Sequence, residues 1–158
     1  MAQFDLKKAT VKFKDGAAAE LTIKVAEGSL SYSEKKNFRY IRDRGALSTV
    51  VEGDQEPVDV KLDIIWEFLK QGSGEAVTPE DFLKKRGGAA GYTSSDADTC
   101  APYAIDIEIA YVPACAPTQN ETITLSDFRF ETLDHDMKQG MLSVSGKANV
   151  TEATVVRS

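Results

Sequence analysis

The segment from Val58 to Phe68 carries the strongest pattern in the chain, because every even position in it is large and apolar. The odd positions between them are mostly charged, and Ile65 is the exception. An alternation of period two that lasts this long is typical of a β-strand with one buried face. The pattern therefore predicts a long strand that packs one side against a core.

Most of the remaining chain shows shorter alternations of the same kind. We predict further strands over residues 6–14, 21–27, 105–111, 123–130 and 142–150, and one more strand that begins at residue 30. The apolar parity changes near Lys7 and Lys8 and again at Ser126 and Asp127, which predicts a bulge at each place. The expected fold is mainly β, a β-sandwich or half-barrel of roughly seven to nine strands in one domain over residues 1–158.

One short helix interrupts the strands, over about residues 78–86. Thr78 is a good N-cap, Pro79 suits the first helical position, and Glu80 and Asp81 place acids in the first turn. Glycines at 87 and 88 end the segment. The signals predict a helix of about two turns.

Residues 33–53 differ from the rest of the chain and predict a long extended arm. A polar start is followed by aromatic residues mixed with arginines, then by a turn at 43–45 and a return toward strand character. Such a segment has little core of its own. Tyrosine and arginine are enriched at protein interfaces, so we weigh an interface arm equally against a surface loop with chance aromatics.

Composition limits the function further. The formal net charge is −6, from 19 basic and 25 acidic residues, and this balance argues against a surface for duplex DNA, which needs clustered lysine and arginine. The start of the chain lacks a secretory signal pattern, and no apolar run reaches the roughly 20 residues that cross a bilayer. Cys100 and Cys115 are expected to be free thiols in a reducing compartment, unless a folded-back loop or a second subunit brings a partner.

No residue cluster predicts a reaction centre. His135 is the one histidine, and a solvated hairpin loop explains it and its two acidic neighbours better than a metal site. The glycine-rich stretch 87–91 follows a helix, whereas phosphate-binding loops precede one. Trp66 belongs to an apolar strand face, so core packing is preferred to a stacking site. We expect no enzyme, no cofactor and no metal.

Three stretches together resemble the major tail tube protein of tailed bacteriophages. The first is EGSLSYS at 27–33; the second runs from RYIRDRG at 39–45 to GDQEPVDVKLD at 53–63; the third is CAPYAIDI at 100–107 with SGKANVT at 145–151. The similarity covers most of the chain in length, order of elements and composition.

The resemblance implies the tail-tube β-sandwich and a structural role in the virion tail. Six copies would join sheets edge to edge into a ring, and rings would stack helically into a channel for DNA, with synthesis in the cytoplasm of the bacterial host. Other implied partners are tape measure, neck and baseplate or tail-tip proteins, and a sheath where the tail is contractile; no membrane is implied. Candidate arm contacts are Phe38, Arg39, Tyr40, Arg42, Asp43 and Arg44, and candidate acids of a negative lumen are Asp59, Asp63, Glu67, Asp106 and Glu108.

Two alternatives stay open at this point. A secretion-system tube subunit of the Hcp type would have the same fold. A tail-tip β-sandwich that binds carbohydrate or a receptor would instead need a concentrated aromatic platform, and only 8% of the residues are aromatic.

Overall fold

A computed structural model describes residues 9–66, 69–70, 76–112 and 120–157. Within them lie twelve strands, namely β1 (Ala9–Lys14), β2 (Glu20–Ile23), β3 (Val25–Ser33), β4 (Lys36–Asp43), β5 (Ala46–Gln55), β6 (Val58–Ile65), β7 (Leu69–Lys70), β8 (Ala76–Val77), β9 (Ile105–Tyr111), β10 (Glu121–Asp136), β11 (Met141–Ala148) and β12 (Thr154–Arg157). Helix α1 spans Pro79–Lys84, and a 3₁₀ turn spans Gly87–Ala89. The mainly β prediction with one short helix is confirmed, whereas the predicted number of strands was too low.

The main sheet is one continuous path of paired strands whose two ends are joined through the chain. Its strand order is β2-β1-β9-β10-β11-β6-β3, and all of its pairs are antiparallel. The two ends of this order, β2 and β3, are consecutive in the chain and separated only by Lys24. Six strand pairs and this chain connection together form what we call the strand circuit, with an inner face for the core and an outer face for solvent or partners.

The alternating strands bury their apolar sides as the sequence predicts. Along β6, Val58, Val60, Leu62 and Ile64 are buried, and β9 alternates in the same way from Ile105 to Tyr111. Trp66, just after β6, packs against this core, and its ring meets His135 at 5.1 Å between centroids. Trp66 therefore packs against the core, as predicted from its place on an apolar strand face. Glu67 and Phe68 lie outside the described residues.

Helix α1 follows its sequence signals closely. The Thr78 side chain accepts a hydrogen bond from the Asp81 backbone N–H at 3.1 Å, and Lys85 ends the helix in a left-handed conformation. The helix buries Phe82 and Leu83, and the Phe82 ring lies 5.8 Å from that of Phe13. The capped helix therefore covers part of the strand circuit.

Strand β10 changes partner where the bulge was predicted. Its register with β9 shifts between Leu125 and Phe128, and Asp127 has a φ of 56°. Before the bulge β10 lies between β9 and β12; after it β10 pairs with β11. Strand β12 was not predicted from the sequence. The apolar alternation indicated one last strand over residues 142–150, whereas β11 ends at Ala148 and β12 follows it.

Several sequence predictions fall outside the described residues. They include the part of the first strand before Ala9 with its bulge at Lys7 and Lys8, the turn after Lys70, and the loop that contains Cys115. Cys100 is described and is exposed.

Candidate assembly interface

The predicted arm forms a separate antiparallel hairpin of β4 and β5. Every residue of both strands is exposed. The turn contains Arg44 and Gly45 with φ of 53° and 82°, and positive φ at both central positions is the geometry of a type I′ hairpin turn. The arm therefore projects from the strand circuit with neither face covered.

One face of the arm concentrates large apolar side chains. Tyr40 lies opposite Val50, and Arg42 lies opposite Leu47, so each pair shares a face. Phe38 shares that face with Tyr40 because it is two positions away on the same strand. Leu47 is 71% exposed and Tyr40 59%. The sequence candidates included Phe38 and Tyr40 but missed Leu47 and Val50, which only the cross-strand register places beside them.

The arm also carries unpaired positive charge. Arg39, Arg42 and Arg44 make no ion pair or hydrogen bond with any residue that the structure describes. Residues 33–53 hold five basic and three acidic residues, a net charge of +2, which leaves −8 on the rest of a chain whose total is −6. The arm is therefore positively charged, whereas the rest of the chain carries a net negative charge.

The root of the arm is held by specific contacts. The Asn37 amide donates to Glu56 Oε1 at 2.9 Å and to the Asp54 carbonyl at 3.2 Å. Glu34 accepts from the Ala153 backbone N–H at 3.0 Å. The Asn37 bonds link the two ends of the hairpin to each other, and the Glu34 bond joins the arm root to the β11–β12 turn.

The candidate lumen acids lie at two separate places on the outer face. Asp59 and Asp63 are on β6; Asp106 and Glu108 are on β9, with β10 and β11 between them. Glu67 lies outside the described residues. The structure therefore does not bring the four described acids into one surface.

Of the two β6 acids, Asp63 borders an open groove of about 320 Å³, whereas Asp59 does not line it. Lys35 Nζ lies 2.9 Å from Asp59, and this hydrogen bond lowers the pKa of the Asp59 carboxyl below its ordinary 3.8. Asp63 and Asp134 line the groove with small serines, and neither makes an ion pair with the described residues. Lys61 lines the same groove without a described ion pair, so two carboxylates and one ammonium group share this outer surface.

The β9 acids are engaged within the fold. Burial raises the pKa of the Asp106 carboxyl above its ordinary 3.8, although the Asp127 backbone N–H donates to it at 3.1 Å. Glu108 forms an ion pair with Lys14 on β1. These two acids are therefore weaker sources of negative surface charge than Asp63 and Asp134.

The histidine lies in a different setting from the expected solvated loop. His135 belongs to strand β10, and its Nε2 lies 3.1 Å from Oε2 of Glu80, a buried carboxylate on α1. In the described part of the chain, no three His, Cys, Asp or Glu side chains are grouped as metal ligands. No described helix has the length and apolar character needed to span a bilayer.

Comparison with known proteins gives a likeness of fold. No family model and no curated protein sequence matches the chain. A chain in the cryo-EM structure of the sheath/tube terminator of an extracellular contractile injection system, PVC, in the extended state, is similar at a TM-score of 0.56 and 13% identity; the match covers 99% of this chain and 98% of that one. The two chains share a fold. A chain in the cryo-EM structure of the anti-feeding prophage (AFP) baseplate matches at a TM-score of 0.48 with 14% identity over 99% and 97%, a score on which we base no inference.

Proposed function

We propose that this chain is a tube subunit of a phage tail or of a related contractile injection particle. In this proposal, rings of six copies stack helically into a channel for DNA delivery. The observation that carries the proposal is the likeness of fold, over nearly the whole chain, to a chain from a sheath/tube terminator. The role is structural, and the chain acts in a tail-like particle after synthesis in the bacterial cytoplasm.

The uncovered arm supports assembly on physical grounds. A two-stranded hairpin alone is marginally stable in water, because it has no third layer to bury its apolar face. This arm exposes Phe38, Tyr40, Leu47 and Val50 on one such face. Exposed apolar patches on folded proteins commonly mark interfaces, so the arm gains most of its stability from contact with another subunit.

The groove beside β6 supplies the surface we assign to the lumen. Asp63 and Asp134 make no described ion pair there, and they outnumber Lys61, the one cation that lines the groove. Carboxylates repel a passing polyanion, so DNA slides instead of binding. We assign the lumen to this face in preference to the Asp106 and Glu108 face. Tape measure, neck and baseplate proteins are the further partners that this role requires.

Electron microscopy and sedimentation velocity of the purified protein over a range of concentrations test the assembly. Rings of six or tubes are expected. A monodisperse monomer under every condition would refute the proposal and would favour a tail-tip binding module.

A second candidate role follows from the matched structure, which is that of a sheath/tube terminator. A terminator would close a tube instead of extending it. The same micrographs separate the two roles, because single rings that never stack favour a terminator, whereas long tubes favour the tube subunit.

The lumen assignment has its own test. Assembled Asp63→Lys/Asp134→Lys particles should retain a labelled DNA oligonucleotide during sedimentation, whereas wild-type particles should not. Glu20→Lys, on β2, which pairs with β1 and contributes no residue to the groove, is the control and should behave like the wild type. DNA retention by the control alone would place the lumen on the other face.

A further inference from the structure

The geometry points to a specific acceptor for the arm: we infer that the arm tip of one copy docks in a cleft at the arm root of a second copy. The inference rests on the proposed self-assembly and names the surface that mediates it. The cleft, which we call the root cleft, lies between the arm root and the β11–β12 turn and has a volume of about 140 Å³.

The root cleft offers unpaired negative charge. Glu52, Asp54 and Glu152 line it, and none of them makes a side-chain ion pair with a described residue. Lys35 also borders the cleft, but its ammonium group is paired with Asp59 at 2.9 Å. Of the lining cations, Lys36 alone has no such carboxylate partner in the described residues, so acids outnumber available bases.

The tip offers the complementary charge. Arg42 and Arg44 flank Asp43 at the end of the hairpin, are exposed, and have no described partner. Arginine suits such a contact because its planar fork binds a carboxylate with two parallel hydrogen bonds and also stacks on aromatic rings. The ring of Phe38 borders the root cleft and provides that stacking surface.

The cleft has room for an arginine head. A water molecule occupies about 30 Å³ of liquid, so a cleft of about 140 Å³ holds the equivalent of four to five waters. This space accommodates a planar guanidinium group beside the acidic side chains that line the cleft.

The contact has to join two molecules. The ten residues of β5 extend the tip about 30 Å from its own root, at about 3.3 Å per residue, and paired antiparallel strands cannot fold back on themselves. Each copy therefore docks its own arm tip on one neighbour and binds the arm tip of another neighbour in its root cleft. Such a head-to-tail contact closes into a ring or continues as a helical filament.

Cross-linking tests the contact directly. In Arg44→Lys the charge is retained and an amine becomes available to a zero-length carbodiimide reagent. In a mixture of isotopically light and heavy protein, we expect mixed-isotope cross-links from position 44 to Asp54 or Glu152. Cross-links from position 44 that map only to other surfaces would overturn the inference.

Charge reversal with rescue provides the second test. Arg42→Glu/Arg44→Glu and Asp54→Lys/Glu152→Lys should each raise the concentration needed for assembly by about tenfold or more, since tenfold corresponds to about 1.4 kcal/mol. The variant that combines all four substitutions should recover assembly. Lys138→Glu, in the distant β10–β11 turn, is the matched control, and circular dichroism checks that every variant is folded.

The outcomes separate this inference from the proposed function. If the wild type assembles but neither reversal changes the assembly, the tip-to-root contact is wrong while the tube proposal stands. If the wild type never assembles, both fail.

Discussion

Replacing Glu80 with glutamine should destabilise the fold by about 2 kcal/mol. Glu80 is 4% exposed. Its carboxylate oxygens lie 2.7 Å from Lys84 Nζ, 2.6 Å from Arg86 Nη2 and 3.1 Å from His135 Nε2. Removing one partner of a buried ion pair typically costs about 3–5 kcal/mol. The cost is smaller here because the Lys84 and Arg86 side chains are 30% and 55% exposed, so water replaces part of the lost interaction.

The effect should also depend on pH in a defined direction. Burial raises the pKa of the Glu80 carboxyl, but hydrogen bonds from Lys84 and His135 outweigh it and hold the pKa below its ordinary 4.5. A lowered pKa in the folded state means that the ionised carboxylate contributes stability above the unfolded value. That contribution is lost as the pH falls through the folded pKa, and with it the difference between wild type and Glu80→Gln.

Thermal unfolding followed by circular dichroism measures both effects. For a chain of this length, about 2 kcal/mol corresponds to a fall in Tm of about 4–8 °C. The control is Glu20→Gln, since Glu20 is 51% exposed and lies 3.7 Å and 3.9 Å from its lysine partners; its loss should cost at most about 1 kcal/mol. A Glu80→Gln variant that melts within about 1 °C of the wild type at neutral pH would refute the reasoning, as would a difference in Tm that does not shrink on acidification.

Three further predictions concern the arm, the close approach of β11 to β10 at Gly146, and the buried acid of β9. Arg42→Ala/Arg44→Ala should impair assembly in sedimentation velocity while circular dichroism stays unchanged, because both side chains are exposed; unchanged assembly would count against an arm contact through these residues. Gly146→Ala should destabilise by about 1–3 kcal/mol in urea unfolding, since its Cβ would overlap the Arg129 carbonyl oxygen, whereas Gly91→Ala, with open space around it, should be nearly neutral. Asp106→Asn should gain Tm relative to the wild type as the pH rises above about 3.8, because burial raises the pKa of Asp106 and disfavours its ionised form; a difference independent of pH would contradict this.

Local signals in the sequence determined most of the elements. The alternation along β6 and β9, the cap at Thr78, and the turn at Arg44 and Gly45 each depend on neighbours a few residues away, so the sequence predicted a strand, a helix start or a hairpin there. The exposed arm was predicted for the same reason, because a segment without regular apolar alternation has no core-facing side. The single domain over residues 1–158 and the contact roles of the arm residues remain predictions.

Only the tertiary structure decided how these elements are combined. Closure of the strand circuit depends on β2 and β3 pairing with different partners on either side of Lys24. The contact between His135 and Glu80 joins residues 55 positions apart, and the root cleft forms where the arm meets a turn that begins almost a hundred residues later. Such contacts arise from long-range packing, and no local pattern of apolar and polar residues encodes which distant side chain a charged group will meet.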